Sequence, residues 1–349
     1  MSLLLMEGFD YYSSINALTP SMTLDSKWAF TMSSPTTQID VSAGRFAGSQ
    51  SLYMDKIGAG QDSISCVFAN TSIQNVVGFA HKQVSIPSSD QEFFSFYEDS
   101  NLNSANLVFY ITALNEIKVQ RGLTVLGTST PLISTDWVYI EVSVVSNNTA
   151  GSISIFADGD EKLNLTGIDT INLSTGTLNK IQFSCTTDST YYIDDMYVAT
   201  GTTLLGDSRV SVMTPVSDSG TNEWSVYPAL LTDNYLAVSG SIPDYSSYIY
   251  TNLGNKKDFY NFSDLNYVPS TVYAVQPIFA ARKDDLATKS IRIDIETNSG
   301  SYVDSATTLT QSTTEFYRIE GSILEINPVT TQEWTVTDLN NIQMGPETI

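Results

Sequence analysis

Two adjacent aspartates, Asp194 and Asp195, stand among aromatic and apolar residues in the segment YYIDDMYVATG. Neighbouring carboxylates could act as a general acid and base, or they could bind a cation. The surrounding residues favour a β-strand, in which successive side chains point to opposite faces. The alternation therefore predicts that the carboxylates point apart, with Asp194 on the face of Tyr192 and Met196. We expect Asp194 to be buried as a hydrogen-bond acceptor for a loop and Asp195 to be solvated.

A second group of acids lies in the run IRIDIETN, where Arg292, Asp294 and Glu296 share one face of a predicted strand. Glycoside hydrolysis needs two carboxylates, and acids two residues apart on a strand lie on the same face. The isoleucines at alternate positions favour a simpler arrangement, an outward polar face over an inward apolar face. In that arrangement Arg292 screens both acids. The run lacks the third carboxylate that jelly-roll glucanases carry in a Glu-x-Asp-x-x-Glu strand.

The chain contains one histidine, His81, and two cysteines, Cys66 and Cys185. A Ser–His–Asp triad needs a histidine beside a nucleophile, and the chain has no G-x-S-x-G motif. A zinc site needs several His or Cys ligands, which these residues do not supply. All three lie in strand-like runs, so we expect a strand histidine and two buried thiols, with a single disulfide left open. No catalytic, cofactor-binding or metal-binding residue is predicted.

Asp158 and Gly159 separate two alternating runs, SISIFA and EKLNL. Asp-Gly is a strong signal for a two-residue hairpin turn, because both turn positions need a positive φ. The turn accounts for the acids at Asp158, Asp160 and Glu161 without a metal. A calcium site stays open as the alternative, although the ligand spacing of an EF-hand is absent.

The 349 residues include 38 acidic and 16 basic side chains, which give a formal net charge of −22. Such a surface repels phosphate backbones, so nucleic-acid binding is not expected. No apolar stretch approaches the ~18 residues of a membrane helix. The N-terminal run MSLLLMEGFD lacks the basic region of a signal peptide. We expect a protein made in a cytoplasm, without membrane insertion and without a cofactor.

Aromatic residues are numerous, with 19 Tyr, 15 Phe and 4 Trp. Exposed Tyr and Trp side chains could form platforms for sugars or contacts with proteins. Core or turn packing is the simpler expectation for the tryptophans, since all of them stand at or next to strand-like runs. They are Trp28, Trp137, Trp224 and Trp334.

Short alternating runs dominate the chain, and helical periodicity is nearly absent. This pattern predicts an all-β protein with two antiparallel β-sandwich, jelly-roll-like domains in tandem. The pattern changes near Gly206, so the domains are predicted at residues 1–205 and 206–349. The segment from Asp218 to Asp264 is rich in Tyr, Ser, Pro and Asn, which favours long loops suited to binding. One helical turn is predicted at TVTDLNN.

Six motifs resemble, in their order, the concanavalin A-like, laminin-G-like jelly rolls. They are EGFD, GRFAGSQSLYM, DWVYIEVSVV, GSISIFADG, NKIQFSC and YYIDDMYVATG, and together they span residues 3–200. The resemblance implies that the first domain is a jelly roll whose last strand contains the paired aspartates as structural residues. It implies no metal ligands for this chain.

Four later segments resemble the C-terminal half of a group of tailed-phage virion proteins, in which a jelly roll precedes a second β domain. They are LLGDSRVSVMTPVSDSGTNEWS, NKKDFYNFSDL, AVQPIFAARKDD with KSIRI, and INPVTTQEWTVTDLNNIQMG. The resemblance implies a non-enzymatic virion structural protein, made in the host cytoplasm, as a tail-associated or adhesion component. The alternative is a capsid decoration or head fibre protein with a carbohydrate-binding jelly roll. A glycan-degrading enzyme of tail-spike type is the third hypothesis.

The partners implied by this resemblance are other virion proteins, further copies of the chain in a homo-oligomer, and host-surface glycans. We expect the second domain, with its long loops, to make the homotypic or virion contact. The jelly roll is then expected to face outward, where it could bind a glycan.

Overall fold

The computed structural model describes residues 1–12, 27–31, 38–56, 60–84, 86–98, 105–132, 136–172, 176–186, 189–241, 246–285, 287–297, 299–309 and 316–349. Their regular structure is almost entirely antiparallel β-strand, which confirms the predicted all-β class of jelly-roll-like β-sandwiches. The described residues divide into two compact units, residues 1–9 with 27–210 and residues 10–12 with 211–349. Within this described part, no helix is long and apolar enough to cross a membrane.

The first unit consists of two antiparallel sheets. Its described strands are β1 (Leu3–Glu7), β2 (Ala29–Thr31), β3 (Gln38–Ala43), β4 (Gln50–Lys56), β5 (Gln61–Val67), β6 (Gln74–Gln83), β7 (Gln91–Tyr97), β8 (Leu107–Ile111), β9 (Ile117–Arg121), β10 (Thr124–Thr128), β11 (Val138–Val145), β12 (Gly151–Ala157), β13 (Asp160–Ile168), β14 (Lys180–Thr186) and β15 (Ser189–Thr200). Sheet 1 has the order β13-β12-β11-β6-β15-β4-β3, and β1 also pairs with β15. Sheet 2 has the order β10-β9-β8-β7-β14-β5-β2.

The core of the first unit lies between the two sheets, and strand alternation determines which residues fill it. Phe79 and His81 of β6 point inward and are buried. Phe79 contacts Phe94 of β7 and Phe183 of β14, at ring-centroid distances of 5.4 and 5.3 Å. Burial of each such ring stabilises the fold by about 1.5–3 kcal/mol. Residues at the intervening positions, such as Lys82, therefore lie on the outward face.

The hairpin turn predicted at Asp158 and Gly159 is confirmed. The two residues connect β12 to β13 with φ values of 49° and 82°. Asp158 also accepts a hydrogen bond of 2.8 Å from the backbone N–H of Tyr139, which gives its carboxylate a structural role. Among the described residues, no group of three or more His, Cys, Asp or Glu side chains could hold a metal ion.

Both cysteines are buried free thiols, as the strand-like runs predicted. Cys66 lies in β5 and Cys185 in β14. The alternative of a disulfide between them is therefore wrong.

The second unit is built around one larger antiparallel sheet. Its described strands are β16 (Pro215–Asn222), β17 (Ser225–Tyr227), β18 (Tyr248–Tyr250), β19 (Asp258–Phe262), β20 (Ile278–Ala281), β21 (Lys289–Thr297), β22 (Gly300–Val303), β23 (Thr307–Leu309), β24 (Tyr317–Glu320) and β25 (Gln343–Thr348). The larger sheet has the order β16-β19-β25-β21-β22, with β23 also paired to β21. Strands β17 with β18, and β20 with β24, form two small sheets.

Two short helices are described in the second unit, the 3-10 helix Asn234–Ala237 and the α-helix α1 (Val336–Asn340). Helix α1 confirms the helical turn predicted at TVTDLNN. The Thr335 hydroxyl accepts a hydrogen bond from the Asp338 N–H, and the Asp338 carboxylate accepts one from the Thr335 N–H. This reciprocal pair satisfies two N–H groups that a helix start leaves without partners.

The isoleucines of β21 form the inward face that the sequence predicted. Ile293 and Ile295 pack with Trp334, Leu339 and Ile342 in one buried cluster. The tyrosine-rich segment predicted as long loops contains β17, β18, β19 and the 3-10 helix, with irregular chain between them. Its residues 242–245 lie outside the described part of the chain.

Candidate functional site

The paired aspartates lie in β15, and both are buried, with 1% and 2% of their surface exposed. Asp195 has a φ of 49° at a β-bulge, where the pairing of β15 with β6 shifts by one position. Beyond the bulge, Tyr197 lies on the outward face with Asp194, and Met196 is buried in the core. The predictions that Asp195 is solvated and that Met196 shares the face of Asp194 are therefore wrong, because the bulge interrupts the alternation.

The two carboxylates have a structural role, as the sequence predicted. Asp194 accepts a hydrogen bond of 2.8 Å from the backbone N–H of Arg45, in the loop after β3. Asp195 accepts one of 2.8 Å from the backbone N–H of Val210, and its own carbonyl accepts one of 3.0 Å from the Tyr139 hydroxyl. The aspartates thus hold two irregular segments against the outward face of sheet 1.

His81 is a core residue, as expected for a histidine in an alternating strand. Its ring lies between those of Phe93 and Tyr191, at centroid distances of 5.6 and 5.7 Å. Burial lowers the pKa of His81 to about 4. Its Nε2 atom has no hydrogen-bond partner in the described part of the chain. A neutral imidazole enclosed by two rings is not placed for catalysis.

Asp294 of β21 is buried in an ion-pair network, whereas Glu296 on the same strand is half-buried. Asp294 is 2% exposed and pairs with Lys257, while Arg292 lies 2.5 Å from Glu347 of β25. Lys257 also lies 3.6 Å from Glu347. The expected screening by Arg292 is confirmed for Asp294, whose carboxylate lies 3.5 Å from the guanidinium, although Lys257 is its nearer partner. Burial raises the pKa of Asp294, and two cations neutralise two carboxylates, so the network is structural.

The outward face of sheet 2 carries polar side chains in rows across the strands. Glu92 of β7 lies opposite Tyr110 of β8, which lies opposite Lys118 of β9. In the next row, Gln182 of β14 lies opposite Ser95 of β7. We call this surface the polar face. It comprises Gln61, Glu92, Ser95, Tyr97, Tyr110, Lys118, Lys180, Gln182 and Ser184.

Serines form the floor of the polar face. Ser95 and Ser184 are fully buried. They do not lie in the core, because the core is filled by the residues that alternate with them, Phe94, Phe96 and Phe183. The longer side chains around these serines, such as Glu92 and Gln182, cover them. These longer side chains are half-buried, so they are the groups that a ligand can reach by hydrogen bonds.

Glu92 is the centre of the hydrogen bonds on the polar face. Its Oε1 atom accepts hydrogen bonds from the hydroxyls of Ser184, at 3.2 Å, and Ser95, at 3.4 Å. The side-chain amide of Gln182 donates to the Ser184 hydroxyl at 3.1 Å, and Gln61 also hydrogen-bonds the carboxyl. Burial raises the pKa of Glu92, and the hydrogen bonds act in the opposite direction.

Two lysine–tyrosine pairs flank the central carboxyl. The ammonium group of Lys118 lies 4.6 Å from the ring centre of Tyr110, and that of Lys180 lies 4.3 Å from the ring centre of Tyr97. Burial lowers the pKa of Lys180 and raises the pKa of both tyrosines. Both phenols therefore stay neutral, and each can donate a hydrogen bond to a ligand.

The polar face combines hydroxyls, side-chain amides, ammonium groups and one carboxyl, which suits a ligand rich in hydroxyl groups. The segments EFFSFYE and NKIQFSC indicated only strands, so this face was not predicted from the sequence. The available signal was the polar residues Ser95 and Ser184 between aromatic residues of those strands, since alternation places them on the outward face.

The tryptophans are divided between core and surface. Trp28 and Trp334 are 1% and 3% exposed, which confirms core packing for these two. Trp137 and Trp224 are half-buried.

The two sheets define the class of this protein, an antiparallel β-sandwich of jelly-roll type. No protein-family model matches the chain, and no curated protein sequence matches it. Among solved structures, the chain is similar to a sialidase, with a TM-score of 0.43 and 14% identity over 57% of this chain and 18% of the sialidase. It is also similar to a cellulose-induced protein, with a TM-score of 0.41 and 13% identity over 54% of this chain and 94% of that one. For the carbohydrate binding module CBM66 from Bacillus subtilis, the TM-score is 0.33 and the identity 11%, over 49% of this chain and 93% of the module.

Proposed function

We propose that the first unit binds an uncharged polysaccharide on the polar face, and that the protein is a binding protein and not an enzyme. The observation that carries the proposal is the hydrogen-bonded set of Gln182, Ser184, Ser95 and Glu92 on an outward face of a sheet. Sugar hydroxyls both donate and accept hydrogen bonds, and this set offers both functions. Because its members already fix one another, less conformational freedom is lost on binding.

The charges of the polar face favour a neutral glycan. The polar face contains the carboxyl group of Glu92 and the ammonium groups of Lys118 and Lys180. Asp90, just before β7, pairs with Lys118, so the formal charges of the face and this neighbour cancel. The whole chain carries a net charge of −22, which repels an acidic polysaccharide at a distance. An uncharged polysaccharide is not repelled by the net charge of the chain, and it needs no net charge on the polar face.

We further propose that this binding serves the virion of a tailed phage, with the protein as a tail-associated or adhesion component that contacts host-surface glycans. The alternative is a capsid decoration or head fibre protein. The sequence resemblance supports both of these virion roles. In either role the protein would be made in the host cytoplasm and then assembled into the particle. Purified particles probed with an antibody against the chain, and imaged by electron microscopy, separate the alternatives. Label at neither the tail nor the head would contradict the virion assignment.

The second unit is proposed to make the homotypic or virion contact. Tyr227 and Tyr248 stack at a ring-centroid distance of 4.9 Å, and the side chains of Tyr227 and Tyr250 are 50% and 51% exposed. Tyrosines are enriched in protein interfaces, where they supply large rigid contact areas. This group of tyrosines supports a contact with protein, made by further copies of the chain or by other virion proteins.

A glycan array followed by calorimetry tests the binding proposal. We expect neutral polysaccharides to bind and Gln182→Ala and Glu92→Gln each to weaken the affinity about three- to tenfold, the effect of one lost hydrogen bond. Glu161→Gln is the matched control, because it makes the same chemical change at an exposed position of β13 in sheet 1. Affinity that neither polar-face variant changes would contradict the proposal.

Glycan cleavage is the second candidate function, and one observation favours it. Burial raises the pKa of Glu92, and a general acid must hold its proton at the working pH. Asp90, which pairs with Lys118, would be the second carboxylate. A reducing-end assay decides between the candidates. We expect no release of reducing ends above a boiled control. If the protein released reducing ends and the Glu92→Gln variant did not, the protein would be an enzyme.

A further inference from the structure

Three aromatic rings form a line on the outward face of sheet 1, and we call them the aromatic row. They are Tyr53 of β4, Tyr192 of β15 and Trp137, which directly precedes β11. Tyr53 and Tyr192 are paired in register, with a ring-centroid distance of 5.1 Å. The rings of Trp137 and Tyr192 lie 6.2 Å apart. Lys82 pairs with Tyr192 and lies on β6, the strand between β15 and β11.

The rings of the row do not belong to the core. Tyr191 and Ile193, the neighbours of Tyr192 in β15, are fully buried and fill the space between the sheets. Alternation therefore turns Tyr192 outward. All three rings of the row are half-buried, so part of each is open to solvent. The row extends from β4 across β15 and β6 to the start of β11.

Polar groups lie beside the rings. The Asp55 carboxylate, two residues beyond Tyr53 on the same face, accepts a hydrogen bond of 2.6 Å from Thr190. Burial raises the pKa of Tyr53 to about 12, and the charge of Asp55 adds to this effect. The Tyr53 hydroxyl therefore stays a neutral donor. Lys82 is paired with Tyr192 in register, on the strand that lies between β15 and β11.

We propose that the aromatic row is a second glycan-binding site, which holds another segment of neutral polysaccharide. The apolar C–H faces of sugar rings would pack on Tyr192 and Trp137, and sugar hydroxyls would hydrogen-bond to Asp55 and Lys82. The site rests on the proposed glycan binding for its class of ligand, although its residues are independent of the polar face. Because the two sites lie on opposite faces of one sandwich, a single chain can bind two polysaccharide segments.

A second copy of this chain fits the row less well than a sugar does. In a two-fold contact centred on the row, Asp55 would meet the same carboxylate of the partner copy. Asp40, which pairs with Tyr53 in the register of β3 with β4, would add to this repulsion. A neutral sugar brings no such charge to the site.

Trp137 reports on the row directly, because Trp28 and Trp334 are buried and Trp224 can be replaced by Phe. The probes are soluble oligosaccharides of glucose, galactose, mannose and N-acetylglucosamine, titrated into the Trp224→Phe protein. We expect the binding sugar to change the fluorescence of Trp137, and calorimetry to give two bound segments per chain. The fluorescence change should persist with Gln182→Ala and disappear with Tyr192→Ala, each of which should leave one bound segment.

Tyr192→Leu keeps an apolar side chain and replaces Tyr192→Ala if the latter fails to fold. Tyr235→Leu, a half-buried tyrosine of the second unit, is the matched control and should leave both signals intact. If Gln182→Ala reduces binding and the fluorescence of Trp137 never changes, the second site is overturned and the polar face is supported. If only the Tyr192 variants reduce binding, the aromatic row is supported and the polar face is overturned. Absence of binding by every probe would overturn both.

Discussion

The Ser184 hydroxyl donates a hydrogen bond of 3.2 Å to Oε1 of Glu92, which links β14 to β7 on the outward face of sheet 2. Gln182 donates in turn to Ser184 at 3.1 Å. The bond orients a carboxyl group whose pKa burial raises, and it places that group above a floor of serine side chains. The proposed glycan binding depends on this orientation.

Ser184→Ala should raise the pKa of Glu92 further. Burial raises this pKa, and the hydrogen bond from Ser184 opposes the shift by stabilising the charged form. Carbon-13 NMR titration of the glutamate side chains measures the change. Ser154→Ala, on β12 in sheet 1, is the control and should leave the pKa of Glu92 unchanged. If Ser184→Ala lowers the pKa of Glu92 or leaves it unchanged, the hydrogen bond does not have this role.

Asp194→Ala and Asp195→Ala should each lower the free energy of unfolding by about 1–3 kcal/mol, because each leaves a partly buried N–H without its acceptor. Asp195→Asn should cost less, since asparagine tolerates the positive φ of 49° at this position. Urea denaturation measures the differences. Asp160→Ala, whose side chain is 79% exposed, should change stability little. Near-neutral effects at either buried aspartate would argue against the network.

The aspartates show how far the sequence could predict the fold. Alternation correctly placed YYIDDMYVATG in a strand and gave the carboxylates a structural role. It could not predict the bulge at Asp195, because the partner residues Arg45 and Val210 come from distant parts of the chain. The Asp158–Gly159 turn was predictable because its signal is local, residing in the positive φ that glycine adopts readily.

His81 should make the first unit less stable in acid. Its pKa is 6.5 when unfolded and about 4 when folded, so the unfolded chain binds the proton more tightly. Stability is complete above the unfolded value and falls as the pH drops towards the folded value, by about 3 kcal/mol in total from this group. Hydrogen exchange of the β6 amides, measured against pH, reports this unit.

His81→Phe is the matched variant, because a phenylalanine fits between the rings of Phe93 and Tyr191 and does not titrate. The variant should lose this part of the pH dependence. Glu92, whose pKa burial raises, acts in the opposite direction, and the difference between the two proteins cancels its effect. Identical pH profiles for the two proteins would contradict the assignment to His81.

Asp294→Ala should destabilise the second unit by about 1–3 kcal/mol, since it removes the buried partner of Lys257. The cost stays below that of a fully buried pair because the Lys257 side chain is 35% exposed. Thermal unfolding followed by calorimetry measures the effect. Asp285→Ala breaks an exposed pair with Lys289 in the same unit, and it should be nearly neutral. Equal effects of the two substitutions would contradict the buried network.

The contacts that sequence reasoning missed join different strands. Lys56 of β4 and Asp62 of β5 are close in the chain, yet they form a buried ion pair of 2.9 Å between sheet 1 and sheet 2. Glu347 joins Arg292 from the last strand of the chain. The polar face likewise assembles from β5, β7, β8, β9 and β14, and its chemistry exists only once these strands pair. A local pattern indicates the strands, whereas the site depends on their order in the sheet.

A crystal structure of the protein soaked with the tightest-binding neutral oligosaccharide tests the central claim most directly. We expect sugar rings on the polar face, with hydroxyls hydrogen-bonded to Glu92 and Gln182. The same soak of the Glu92→Gln variant should give weaker sugar density at this place. Sugar bound elsewhere on the first unit, with the polar face bare in both crystals, would contradict the proposed binding site.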